Sequence, residues 1–258
     1  MRTIQLHLLL LGWLLALSCA RPVEKPKVIA HRGYWQCEGS AQNSIASLVK
    51  AHEIGCYGSE FDVHLTADDV PVVCHEVEIR KGVFIPQVPY DSIKDIRLPN
   101  GETLPTLDQY LEKGKELEGL QLIYELKTDA APERNRQAAR VAVETVRKHG
   151  MEKRVEFITF NLEAAKELRR LAPDMPVYYL SGDLIPLQVK EFGFTGINYY
   201  YKVMLERPEW FEEAHALGLK TNVWTVDDAE EIREIARLGT DFLSTDIPEE
   251  AMAIIADL

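Results

Sequence analysis

Glu60 and Asp62 stand two residues apart in the apolar run Ser59–Leu65. Glu125 and Lys127 repeat that spacing where the run Gln121–Leu126 ends. In an extended chain, residues two apart share a face. Each pair therefore presents both polar side chains to one side, while Phe61 and Val63 take the other. Three carboxylates with no thiol among them suit a hard divalent cation, Mg²⁺, Ca²⁺ or Mn²⁺. Packed together without a cation they would repel, and some would take up protons. Two histidines close further apolar runs: His31, followed by Arg32, and His75. Imidazole titrates near neutrality, which makes both candidates for general acid and base. Arg32 and Lys127 can receive a phosphate, the arginine through two parallel hydrogen bonds. One metal ion, two imidazoles and two cations round one pocket describe phosphoryl ester chemistry better than any other class. A salt-bridged surface cluster is the plainer alternative, and it leaves the same-face spacing on two strands unexplained.

These residues need strands whose ends converge. Strand-like runs occur at Val28–His31, Ser59–Leu65, Val72–His75, Gln121–Leu126, Val155–Phe160, Val177–Leu180, Ile197–Tyr201, Leu219–Thr225 and Asp241–Ser244. Amphipathic helical stretches lie between most of them. Asn43 is expected to cap one helix, closed by Gly55, and Asn161 to cap another, ended by Pro173. Asp227 with Glu230 reads as a capping box before a helix stopped by Gly239. Such alternation means a parallel sheet, and the absence of GxGxxG after the first strand disfavours an open dinucleotide-binding sheet. The expected fold is an α/β structure, an irregular TIM (β/α)₈ barrel, whose C-terminal strand ends form the site. Only Thr66–Pro71 separates the second and third runs, too short for a parallel crossover, so these two should pair like a hairpin. Glu76–Thr103, rich in proline and weak in periodicity, reads as a small insertion after the third strand (about residues 76–105) lying over one rim. No linker or internal repeat divides residues 21–258.

The 258 residues carry 46% hydrophobic and 27% charged side chains and a net charge of −12, an ordinary globular composition. The start differs from the rest: Arg2 precedes the apolar run Leu8–Leu17, which ends in Ser18-Cys19-Ala20. This pattern fits a secretory signal peptide over residues 1–20 and is too short for a good membrane span. Cleavage after Ala20 or lipidation at Cys19 both fit, and the expected location is exported, periplasmic or extracellular. A lipid on Cys19 would be the one membrane contact. Without residues 1–20 there remain 28 basic against 41 acidic residues, a net charge of −13. That surface argues against nucleic acid as a partner, but not against a small phosphate ester bound at a locally positive site. The remaining cysteines, Cys37, Cys56 and Cys74, are an odd number without a CxxC pair, so they read as free or partly paired, with no zinc site. Nothing in the sequence sets the oligomeric state.

The ordered motifs His31-Arg32-Gly33, Gln42-Asn43-Ser44, Glu60-Phe61-Asp62-Val63, Thr66 through His75, Glu125-Leu126-Lys127 and Val223-Trp224-Thr225-Val226 resemble those of the glycerophosphodiester phosphodiesterases. The resemblance covers nearly the whole chain after the signal. It implies a barrel of the type shared with phosphatidylinositol-specific phospholipases C and metal-dependent cleavage of small glycerophosphodiesters to glycerol 3-phosphate and an alcohol. It also implies that Glu60, Asp62 and Glu125 bind the metal, that His31 and His75 do the acid–base work, that Arg32 and Lys127 hold the phosphate, and that Trp224 lines the glycerol end. The chain departs from the family's usual residues at Gln42 (Glu), Glu76 (Asp) and Asp69 (Gly); the first two fall near the site. Two rival expectations are a phospholipase-like enzyme acting on lipid head groups and a catalytically silent phosphate-ester-binding barrel.

Overall fold

The computed structural model describes residues 24–129 and 131–258. The expected signal segment, with Cys19, lies outside them. The first parallel strand, β1 (Lys27–Ala30), leads through a long loop to α1 (Ile45–Glu53) and then to β2 (Gly58–Leu65). Strand β3 (Pro71–Val73) folds back on β2, pairing Val63 with Val73 in antiparallel register. The short connection therefore does form a hairpin-like pair. A two-stranded hairpin follows, β4 (Glu78–Arg80) with β5 (Val83–Phe84), and then α2 (Leu107–Glu116). The rest alternates: β6 (Gln121–Leu126), α3 (Pro132–Lys148), β7 (Val155–Thr159), α4 (Leu162–Leu171), β8 (Val177–Tyr179), α5 (Pro186–Glu191) and β9 (Gly196–Tyr200). Two helices, α6 (Tyr201–Glu206) and α7 (Glu209–Ala216), precede β10 (Lys220–Trp224), α8 (Ala229–Arg237), β11 (Phe242–Thr245) and α9 (Pro248–Ala256).

Strand β1 pairs in parallel with both β11 and β2, which closes the ring β1-β2-β6-β7-β8-β9-β10-β11. This is an eight-stranded TIM barrel. Alternate strand residues divide between two cores. Val28, Phe61, Val63, Leu122, Tyr124, Phe157 and Val223 pack outward against the helices, while Ile29, Ile123, Ile158, Tyr178, Leu180 and Phe242 fill the barrel. Continuing the inward parity toward the strand ends brings up His31, Asp62, Glu125, Phe160, Tyr200 and Trp224.

Residues 76–104 form a cover with its own small apolar cluster, in which Ile85, Ile93 and Leu104 pack on Val72. Its turn at Leu98–Gly101 is tied to α1, because the Glu102 carboxylate accepts hydrogen bonds from the amides of Ile45 (2.8 Å) and Ala46 (3.0 Å). Those amides belong to a helix start, where donors lack partners within the helix.

Two helix starts differ by one residue from expectation. Ser44, not Asn43, caps α1, its hydroxyl accepting from the Ser47 amide. Asn43 has φ +60° and turns its side chain to the site instead. Asp228, not Asp227, caps α8. Asp227 is engaged across the rim, accepting from the Thr245 hydroxyl and the Asp246 amide. Asn161 caps α4 as expected. Cys37, Cys56 and Cys74 are free among the described residues.

Candidate active site at the C-terminal end of the barrel

Strand register determines which side chains meet. Asp62 stands directly across from Glu125 and Glu60 across from Ile123, so β2 and β6 deliver their acids to one interior patch. Carboxylate oxygens of Glu60, Asp62 and Glu125 lie within 4.8 Å of one another, and all three residues are buried. Burial and the neighbouring charges of Asp62 and Glu125 push the Glu60 carboxyl well above its ordinary range. Burial and Asp62 push Glu125 up to about 7. Asp62 goes the other way. Burial opposes its ionisation, but the Lys127 ammonium and a hydrogen bond from Asn43 hold it down, at about 2. Lys127 Nζ lies 2.7 Å from Asp62 and 2.6 Å from Glu125, setting an ammonium directly between two of the three acids. Lys127, expected at the phosphate, is therefore placed between two of the carboxylates.

The donor set is all oxygen, which suits a hard cation. The oxygen Glu60 Oε1 is buried and has no hydrogen-bond partner among the described residues. A buried acceptor left in this way costs free energy unless an ion or water serves it. The residues fit a divalent metal ion.

The loop between β1 and α1 frames the cluster. Arg32 adopts φ +56°, which turns its amide to Glu60 Oε2 at 2.8 Å. A non-glycine residue in this region is costly unless its surroundings enforce it. Here they do: the Arg32 carbonyl accepts from the Asn43 amide and the Ser47 hydroxyl. Gly33 follows at φ +74°, against Ser47, where a Cβ would lie 2.4 Å from the hydroxyl oxygen. Gln42 Oε1 accepts from the Arg32 guanidinium at 2.8 Å, and Arg32 Nε faces Asp62 at 3.7 Å. Asn43 clamps Asp62 twice, donating to its carboxylate (2.8 Å) and accepting from its amide (3.0 Å).

Both histidines reach this rim. His31 Nδ1 lies 2.8 Å from Asp246, whose same oxygen accepts from the Trp35 indole at 2.9 Å. Burial raises the Asp246 carboxyl, but these contacts outweigh it and keep the group ionised. His75 Nδ1 lies 2.9 Å from the exposed Glu76 carboxylate, and His64 Nε2 holds the His75 carbonyl at 3.1 Å. Neither Nε2 has a hydrogen-bond partner among the described residues.

Trp224 donates to the Asn198 carbonyl (2.9 Å) and stands between Phe160 (ring centroids 5.4 Å apart) and Tyr200 (5.6 Å). Phe160 and Tyr200 are partly exposed and complete an aromatic wall. Sequence reasoning overlooked both, and it overlooked Asp246, although each continues the inward parity of its strand. Beside His75 lies a cavity of about 770 Å³, lined among others by Trp35, Cys74, Leu98 and Pro99.

The fold and the site together define an α/β barrel with a buried acidic cluster, compatible with a divalent cation, at its C-terminal rim. Residues 31–250 match the profile of the "Glycerophosphoryl diester phosphodiesterase family". The chain is 26% identical over 246 residues to a glycerophosphodiester phosphodiesterase of Caldanaerobacter subterraneus subsp. tengcongensis, covering 90% of this chain and 98% of the relative. A crystal structure of a glycerophosphodiester phosphodiesterase from Parabacteroides distasonis superposes with TM-score 0.89 at 52% identity, covering 90% of this chain and 98% of that one. The enzyme of the same name from Thermotoga maritima shares the fold at TM-score 0.73 and 24% identity, over 90% and 99% of the two chains. The chain belongs to the glycerophosphoryl diester phosphodiesterase family and is a phosphodiesterase.

Proposed function

We propose that this protein hydrolyses glycerophosphodiesters to glycerol 3-phosphate and an alcohol, with one divalent cation held by Glu60, Asp62 and Glu125 and with His31 and His75 as the acid–base pair. One observation carries the reading: three buried carboxylates converge within 4.8 Å, beside a buried oxygen that nothing in the described chain satisfies. When bound, a divalent ion would stabilise charge on phosphoryl oxygens and make a nearby hydroxyl more acidic.

The chain's own groups do the rest. Arg32 has one terminal nitrogen on Gln42 and Nε toward Asp62. Its other terminal nitrogen is left for a phosphate oxygen. Lys127 balances the acids from 2.6–2.7 Å and adds positive charge near the phosphate. His31, with Nδ1 on Asp246, and His75, with Nδ1 on Glu76, each turn Nε2 to the reaction. One takes the proton of the attacking hydroxyl and the other gives a proton to the departing alcohol oxygen. If water attacks, glycerol 3-phosphate forms directly; if the glycerol 2-hydroxyl attacks, a cyclic phosphate forms that water then opens to glycerol 3-phosphate. Trp224, Phe160 and Tyr200 wall the glycerol end. Export of the enzyme, by cleavage after Ala20 or lipidation at Cys19, is supported by the apolar run Leu8–Leu17.

The test is release of glycerol 3-phosphate from glycerophosphoglycerol and glycerophosphocholine. His31→Ala and His75→Ala should each lower turnover by at least about 10²-fold, as general acid–base groups do. Release from neither substrate by the wild-type protein ends this reading, and wild-type turnover in either variant ends that histidine's role.

A further inference from the structure

The cavity beside His75, at about 770 Å³, is of a size used for drug-like ligands, about 300–1,000 Å³. Its inner end is formed by Gln42, Asn43 and His75. These are the partner of Arg32, the partner of Asp62 and one of the two imidazoles. The cavity therefore opens directly from the point where a diester would be cleaved. The aromatic wall at Tyr200 and Trp224 belongs to β9 and β10, across the ring from β2.

Trp35, Val73, Leu98 and Pro99 give the lining a largely apolar surface, with Gln36 and Ser40 as further polar members. Among the described residues, the only carboxylate in the lining is Glu76, which is engaged with His75 and largely in water, and no lysine or arginine lines the cavity. The Leu98–Pro99 wall is held in place. The Leu98 carbonyl accepts from the Gly101 amide, Asn100 donates to the Gly39 carbonyl at 3.3 Å, and the Glu102 carboxylate is fastened to the first turn of α1. Hydroxyls of a polyol turned to Leu98, Pro99 and Val73 would lose water without gaining partners there, which is unfavourable. An anionic head group would meet Glu76 with no cation to offset it.

We propose that this cavity receives the alcohol half of the diester and selects alcohols with an extended apolar body. The assignment rests on the reaction proposed above and specifies its leaving group.

The test is a series of glycerol phosphate diesters of ethanol, butanol, hexanol and octanol, with glycerophosphoglycerol as the polyol reference. kcat/KM should rise with chain length, by up to about fourfold per methylene, as apolar burial predicts. Leu98→Asp, and the milder Leu98→Ser in the same partly exposed turn, should flatten the series. The readout is the ratio of octanol to ethanol diester kcat/KM within each variant, which a general loss of activity does not change. A flat series with normal turnover of glycerophosphoglycerol overturns the cavity assignment and leaves the reaction standing. A rising series that neither Leu98 variant flattens also overturns it, since the apolar contact then lies elsewhere. No turnover of any member overturns both.

Discussion

Asp246 offers the sharpest test of how the barrel arms one of its histidines. Its oxygen lies 2.8 Å from His31 Nδ1 and 2.9 Å from the Trp35 indole nitrogen. The carboxyl is held below its ordinary range despite burial, so it faces the imidazole as an anion. Asp246→Asn keeps the shape and removes the charge. The contact changes from a charge-assisted hydrogen bond, worth about 1.5–3 kcal/mol, to a neutral one or to none. If that energy is expressed when His31 carries its extra proton, the rate falls by about 10- to 150-fold at 1.36 kcal/mol per decade. Asp246 does not touch the phosphate in this scheme, so KM should stay within about twofold, a pattern that marks loss of transition-state stabilisation alone. The assay is steady-state glycerol 3-phosphate release, with the melting temperature measured in parallel. A variant with wild-type kcat, or with its loss confined to KM, would refute the positioning role.

Three further outcomes follow from the geometry. Asn43→Asp removes the amide donor to Asp62 and adds a like charge beside it, so divalent-ion affinity should drop about 10- to 100-fold; calorimetric titration with Mn²⁺ reads this, and an unchanged Kd contradicts it. Asp241 accepts from His215, Lys220 and the Thr221 amide, contacts that outweigh burial and depress its carboxyl. Its stabilisation is therefore complete above the unfolded carboxylate value of about 3.9 and is lost as pH falls through the lower folded value. Asp241→Asn should cost about 1.5–3 kcal/mol at pH 7, with the gap to wild type closing in acid; urea unfolding at several pH values checks it, and a gap that is constant with pH refutes it. Gly33→Ala forces a Cβ to 2.4 Å from Ser47 Oγ at φ +74°, so it should lose about 1–3 kcal/mol and lower kcat by displacing Arg32; unchanged stability and turnover would show that the loop yields freely.

The chemistry was legible where it followed the strand period. Glu60, Asp62, Glu125 and Lys127 could be read as one inward face, because spacing by two needs no knowledge of tertiary structure. The irregular pairing of β2 with β3 was legible from the shortness of Thr66–Pro71. Asp246 was not, because it meets His31 only where β11 closes against β1, 215 residues away in the chain. No local pattern records that pairing. Asn43 and Asp227 misled for a related reason. Each has the chemistry of a helix cap, but each spends its side chain on the rim, and the next residue takes the cap. The ion pairs of Lys127 with Asp62 and Glu125 follow from the same register that brings those two acids together. Phe160 and Tyr200 fell at or near the ends of strand runs; parallel register sets Tyr200 beside Trp224, and the shared barrel interior brings Phe160 to it from β7.

The direct measurement is turnover of glycerophosphoglycerol by chelator-treated protein as Mg²⁺, Ca²⁺ or Mn²⁺ is added back, with bound ion counted per chain. A cation at Glu60, Asp62 and Glu125 should supply several kcal/mol, so the stripped protein should be slower by about a hundredfold or more and recover as a single ion binds each carboxylate cluster. Full turnover in protein shown by elemental analysis to hold no divalent ion would contradict the account.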